Sequence, residues 1–186
     1  MYRPARHFVV IAILAVALGG GALAALAQPR TGLSPDAQAV FSRWVVAMCI
    51  GGDEAELAAA LRRFGPELVP AFERAIASGP SAQDMRAVRA AAADLHARRA
   101  QMRLDDIPVT GVSRADLQRF RGMSREAFVE DQVRRFVTGY RANAVAALGI
   151  IGGDRARNIL ARLARNNNEP LAPPAREALR TMRAPR

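Results

Sequence analysis

Apolar residues recur at intervals of three and four along most of the chain, the spacing that places them on one face of an α-helix. The first such stripe follows Ser34-Pro35-Asp36, where an N-cap hydroxyl, a proline and a first-turn acid all favour a helix start. The stripe consists of Val40, Phe41, Trp44, Val45 and Met48. We therefore predict a first helix that ends at Gly51-Gly52.

Further stripes follow, each bounded by glycine, proline or a residue that caps helices. The helix after Gly79-Pro80 is predicted to run from Ser81 to about Leu104, and a long one is predicted from Ser124 to Gly152. The other predicted helices begin at Asp53, Gly65-Pro66, Ser113, Asp154 and Pro174. This series of helix signals predicts an all-α domain over residues 34–182, followed by a short tail at 183–186.

The segment 105–112, DDIPVTGV, is the best candidate for an internal boundary. It contains a proline, a glycine and β-branched residues, and it is too short and isolated to seed a sheet. The amino-acid composition also favours a helical structure, because the chain is 51% hydrophobic but only 5% aromatic. Its core must therefore consist mostly of Ala, Leu, Val and Ile, and Ala is the strongest helix former.

The amino-terminal residues 1–27 have the three-part layout of a secretory signal peptide. Arg3 and Arg6 precede an apolar run, glycines follow it, and Ala25-Leu26-Ala27 predicts cleavage before Gln28. The alternative is an uncleaved inner-membrane anchor formed by residues 8–27, which carry no charge over a length that could cross a bilayer. We expect a periplasmic or secreted protein with a spacer at 28–33, and export makes nucleic acid an improbable partner.

An internal repeat is visible when the chain is compared with itself. Ala147-Leu148 and Ala178-Leu179 lie 31 residues apart, and Ala144 corresponds to Ala175 as Ile151 does to Met182. A fixed period in this range is typical of an α-solenoid, in which each helical hairpin hides its apolar face against its neighbours. The helices near residues 148 and 179 should therefore lie side by side.

The segment 143–182 resembles the HEAT-like repeats of the phycobilisome-lyase type. The matching residues are Ala147, Leu148, Gly149, Ile151 and Gly152, and a fainter echo runs from residue 47 to 53. The resemblance implies a short α-solenoid of HEAT-like hairpins with a binding or scaffold role, and it does not imply lyase activity. Between residues 81 and 122 the repeat is degenerate, so a small irregular helical bundle is the structural alternative.

The formal net charge of +10 comes entirely from arginine, since the chain has no lysine. Without the two arginines in residues 1–27 the net charge is +8, which fits a mildly basic, solvated surface. The alternative is a dedicated surface for a membrane or an envelope polyanion. The arginines that would form it are Arg98, Arg99, Arg103, Arg155, Arg157, Arg162 and Arg165.

Candidate catalytic chemistry is sparse. After cleavage, Cys49 is the one cysteine and His96 the one histidine in the sequence, which are too few ligands for a zinc site. We expect His96 on a helix surface and Cys49 in a helix interface. Asp105-Asp106 lacks the further oxygen ligands of a calcium loop. We predict no enzyme activity, cofactor or metal, and a partner that is an envelope protein or peptide.

Overall fold

A computed structural model describes residues 32–46, 54–98, 114–166 and 170–183. Within these ranges the backbone forms eight α-helices, one 3₁₀ turn at Gly65–Glu67 and no strand, which confirms the all-α prediction. In chain order the helices are α1 (Pro35–Val46), α2 (Glu54–Phe64), α3 (Val69–Ser78), α4 (Ala82–Ala97), α5 (Arg114–Gly122), α6 (Arg125–Ile151), α7 (Gly153–Arg165) and α8 (Ala172–Arg183). The predicted signal peptide or anchor, Cys49 and the segment 105–112 lie outside the described residues.

Several helix starts follow the capping chemistry that the sequence predicts. At α4 the Ser81 hydroxyl accepts a hydrogen bond from the Asp84 amide at 3.1 Å, and the Asp84 carboxylate accepts one from the Ser81 amide at 2.9 Å. This is a complete capping box, in which two amides without helical partners are satisfied reciprocally. Ser34 and Ser124 likewise accept hydrogen bonds from the amides three residues later.

Four predicted helix boundaries are wrong. α3 begins at Val69 rather than at Gly65-Pro66, where the backbone forms the 3₁₀ turn Gly65–Glu67. α7 begins at Gly153 rather than being capped by Asp154, because Gly152 holds the N-cap position with a φ of 75°, a conformation that glycine adopts without strain. α8 begins two residues before Pro174. Proline is tolerated in the first turn of a helix because the N–H group that it lacks would have no helical partner there. α4 ends at Ala97 instead of near Leu104.

The described residues divide into two compact units. Unit I comprises residues 81–137, and unit II comprises residues 32–80 together with 138–183, so α6 contributes residues to both. The core of unit I is aromatic as well as aliphatic: the rings of Phe120 and Phe128 lie 4.8 Å apart, and the α4 residues Val88, Ala92 and Leu95 are buried.

Unit II contains α1, α2, α3, α7, α8 and the last part of α6. α1 packs against α2, α3 against α7, and α7 against α8. Trp44 and Asn143 tie α1 to α6: the Trp44 indole donates to the Asn143 carbonyl oxygen at 2.7 Å, and the Asn143 amide donates to the Val45 carbonyl oxygen at 3.2 Å. Leu68, Val69, Phe72 and Ile76, which recur at intervals of three and four along α3 and the residue before it, are all buried.

The carboxyl end of α6 lies directly against α8. A Cβ atom built on Gly149 would come within 2.8 Å of the Ala178 Cβ and 3.1 Å of the Ala178 Cα. This confirms that the helices near residues 148 and 179 lie side by side. In the described ranges, no helix has both the length and the apolar character that crossing a membrane requires.

Candidate binding groove on unit II

The seven arginines that the sequence suggests for an anionic surface do not form a single cluster among the described residues. Arg155 and Arg162 are brought together by one shared carboxylate, as set out below. Arg157 pairs with Asp154 on its own helix at 3.4 Å, and Arg98 pairs with Asp94 at 2.6 Å within unit I. Arg165 is exposed near the end of α7, and Arg99 and Arg103 lie outside the described residues.

Glu73 on α3 is the shared partner of two arginines on α7. Its two carboxylate oxygens accept hydrogen bonds from Arg155 at 3.0 Å and from Arg162 at 3.2 Å. Arg155 and Arg162 are seven residues apart, close to two helical turns, so both face α3. The hydrogen bond from Arg155, above all, holds the pKa of the Glu73 carboxyl below its ordinary value, and partial burial opposes this shift without cancelling it.

A groove of about 390 Å³ lies beside this ion triad. Its apolar floor combines Ile76 from α3, Ile159 and Leu163 from α7, and Leu171 from the turn before α8. Ile76, Ile159 and Leu171 are nearly inaccessible to solvent, whereas Leu163 is partly exposed. The polar part of the lining is formed by Glu73, Arg141, Arg162 and Asn166.

Arg141 lines the groove and also caps α3. Its guanidinium donates to the Ile76 carbonyl oxygen at 2.7 Å and to the Ala77 carbonyl oxygen at 2.9 Å. The last carbonyls of a helix have no helical donor and carry the negative end of its dipole. Arg141 therefore satisfies two of them while fixing its own position on the rim.

A second depression, of about 380 Å³, lies on unit I between α4 and α6. Its charged lining is balanced, with two arginines and two glutamates, and Arg89 forms an ion pair with Glu130 there. Its apolar lining is limited to two alanines and Val129. The groove on unit II therefore offers both more apolar surface and a larger excess of positive charge.

His96 is buried, so the prediction that it lies on a helix surface is wrong. Its ring packs against Phe120 and Phe128, with centroids 6.5 and 5.7 Å away. The ring Nε2 lies 2.9 Å from the Met123 carbonyl oxygen. Because a carbonyl oxygen only accepts, Nε2 is the nitrogen that carries the proton in this contact. His96 thus acts as a packing residue that ties α4 to the turn between α5 and α6.

The spacing along α4 contains the signal for this burial. His96 follows Val88 by eight residues and Ala92 by four, which places it on the same buried face. No comparable signal marks Glu73 or Arg141 as groove residues, because each meets partners more than 60 residues away. In the described parts of the chain, no group of three or more His, Cys, Asp or Glu side chains is placed to hold a metal ion.

Comparison with protein-family models, with curated proteins and with solved structures finds no match to this chain.

Proposed function

We propose that this chain is an exported, non-catalytic helical-repeat module that binds a protein or peptide in the cell envelope. The observation that carries the proposal is the groove on unit II, where an apolar floor is bordered by charged side chains. Binding sites commonly combine a mainly apolar concave surface with a few polar groups that fix orientation. The groove residues come from α3, α6, α7 and the turn before α8, so the packed helices hold them in place.

The HEAT-like relationship belongs to the same proposal. Its support is the succession of α6, α7 and α8, in which a Gly152-Gly153 reversal precedes two packed helices and Gly149 lies against Ala178. In an α-solenoid each hairpin contacts its neighbours in this manner and presents an extended binding surface. If the helices form a solenoid, removing α8 should leave the more distant helices folded. If they form a bundle, removing α8 should unfold the whole chain in one step.

Export is tested by locating the chain in cells. A carboxyl-terminally tagged full-length chain should appear in the periplasmic or secreted fraction, and its amino terminus should read Gln28. Retention of residues 1–27 in the membrane fraction would instead support the anchor alternative.

Groove binding is tested by site-specific photocrosslinking in the cell. A photoreactive amino acid at Ala77, which lines the groove and is exposed, should crosslink to a discrete protein band. The matched control is the same substitution at Ala146, an exposed alanine of unit II that does not line the groove. Equal crosslinking from both positions, or none from Ala77, would contradict the proposal.

The alternative is an arginine-rich binder of a membrane surface or an envelope polyanion. Among its described arginines, Arg98 and Arg157 pair with carboxylates three or four residues away, and only Arg155 and Arg162 meet at one site. Anionic vesicles and lipopolysaccharide test this alternative directly. Binding that disappears at high salt and in a variant with Arg155, Arg157, Arg162 and Arg165 changed to Ala would favour it.

A further inference from the structure

We propose that the unit II groove takes a peptide segment that carries both apolar side chains and carboxylates, and that a carboxylate of this segment replaces Glu73 as the partner of Arg155 and Arg162. The inference rests on the proposed function, because it specifies the chemical class of partner for the same groove.

Charge is the first argument for an acidic partner. Two guanidinium groups share a single carboxylate at Glu73, so one positive charge is left over. Both arginine side chains are more than 60% exposed, which leaves them accessible to an incoming ligand. Arg141 adds a third positive charge at the rim, while the negative end of the α3 dipole offsets only part of it. The groove therefore favours an anion over a cation.

The apolar floor separates a peptide from simpler anions. A free phosphate or a polyanion would satisfy the arginines but leave Leu163 and Ala77, the accessible apolar residues of the lining, in contact with water. A flat membrane surface would reach the rim of a concave groove without filling it. A peptide can place an apolar side chain on the floor and a carboxylate beside the arginines together, because one backbone carries both kinds of side chain.

Glu73 has a defined role in this scheme as an internal competitor for the arginines. Replacing it with glutamine removes the competing charge while nearly preserving the shape of the side chain. Glu73→Gln should therefore strengthen binding of an acidic peptide, whereas Arg155→Ala or Arg162→Ala should weaken it. If the groove recognised basic peptides through Glu73, Glu73→Gln would weaken peptide binding and the arginine substitutions would strengthen it.

The test uses four capped peptides and the chain as it is isolated from the cell fraction that contains it, in isothermal titration calorimetry. The first peptide alternates leucine with glutamate, and the others replace its glutamates by glutamine, its glutamates by lysine, or its leucines by serine. We expect the leucine–glutamate peptide to bind most tightly. Affinity should fall about fivefold for Arg162→Ala and rise about threefold for Glu73→Gln, the range typical of exposed ion pairs.

Arg157→Ala is the matched control variant, because Arg157 lies on the same helix but pairs with Asp154 and not with Glu73. Its affinity for the leucine–glutamate peptide should be unchanged. Circular dichroism of each variant should remain that of the parent chain.

Three results would overturn the inference. Equal binding of the glutamine peptide would show that carboxylates are not recognised, and equal binding of the serine peptide would reduce the interaction to simple anion association. Failure of all four peptides to bind would also reject it. None of these results affects the outcome expected for crosslinking from Ala77, so the proposed function is tested separately by that experiment.

Discussion

Gly149 on α6 lies so close to Ala178 on α8 that a side chain at position 149 would overlap its neighbour, with an added Cβ only 2.8 Å from the Ala178 Cβ. The glycine is not needed for a special backbone angle here, since it lies within a regular helix. The glycine is required because there is no space for a side chain, and the same contact joins the two helices that carry the predicted repeat.

Gly149→Ala should therefore destabilise the chain by about 1–3 kcal/mol through overpacking, despite the better helix propensity of alanine. Thermal or urea denaturation measures the loss. Gly122→Ala is the control, because nothing lies within 4 Å of a Cβ at that helical position, and it should be neutral or slightly stabilising. A double variant with Ala178→Gly should recover part of the loss, and strict additivity of the two changes would contradict the contact.

Removing the guanidinium of Arg141 should destabilise unit II. Arg141→Ala loses two hydrogen bonds to the last carbonyls of α3, and we expect a cost of about 1–3 kcal/mol in the free energy of unfolding. Arg141→Lys keeps the charge near the helix end but cannot donate to both carbonyls in the same geometry, so its cost should be smaller. Arg134→Ala, at an exposed arginine with a local ion pair, should cost little. Equal effects of all three changes on urea denaturation would argue against the capping role.

The ion triad at Glu73 should make stability depend on pH in the acid range. Because the folded-state pKa of Glu73 lies below its ordinary value of 4.5, its stabilising contribution is fully present above that value. The contribution is lost as the pH falls through the lowered folded-state pKa. Glu73→Gln removes it at every pH, so the difference in melting temperature between the parent and the variant should shrink as the pH falls below 4.5.

Asp154→Asn serves as the reference for this experiment, since the Asp154 side chain is 93% exposed in its pair with Arg157. Its melting temperature at pH 7 should be close to that of the parent chain, because an exposed ion pair contributes little. A constant difference between the parent and Glu73→Gln from pH 7 to 3 would contradict the proposed linkage.

His96 should behave as a core residue of unit I. His96→Ala removes a buried ring between Phe120 and Phe128 as well as the hydrogen bond to Met123, and we expect a loss of about 2–4 kcal/mol. His96→Phe restores the ring but leaves the Met123 carbonyl without this donor, so its loss should be about 1 kcal/mol. Chemical denaturation ranks the variants, and a His96→Ala variant as stable as the parent would show that the ring is solvated in solution.

The sequence by itself determined the all-α class, most helix positions and the contact between the helices near residues 148 and 179. These features depend on local rules, since capping at Ser81 and the apolar stripe of α3 involve residues three or four positions apart. The repeat added one long-range contact because it relates two equivalent positions of known period.

Only the tertiary structure decided which side chains meet across the chain. Glu73 joins arginines 82 and 89 residues away, and Arg141 reaches carbonyls 64 and 65 residues away. Helical spacing fixes the face on which a residue lies but not the helix that this face meets. Arg155, Arg157 and Arg162 look alike in the sequence, yet packing against α3 places only Arg155 and Arg162 beside Glu73.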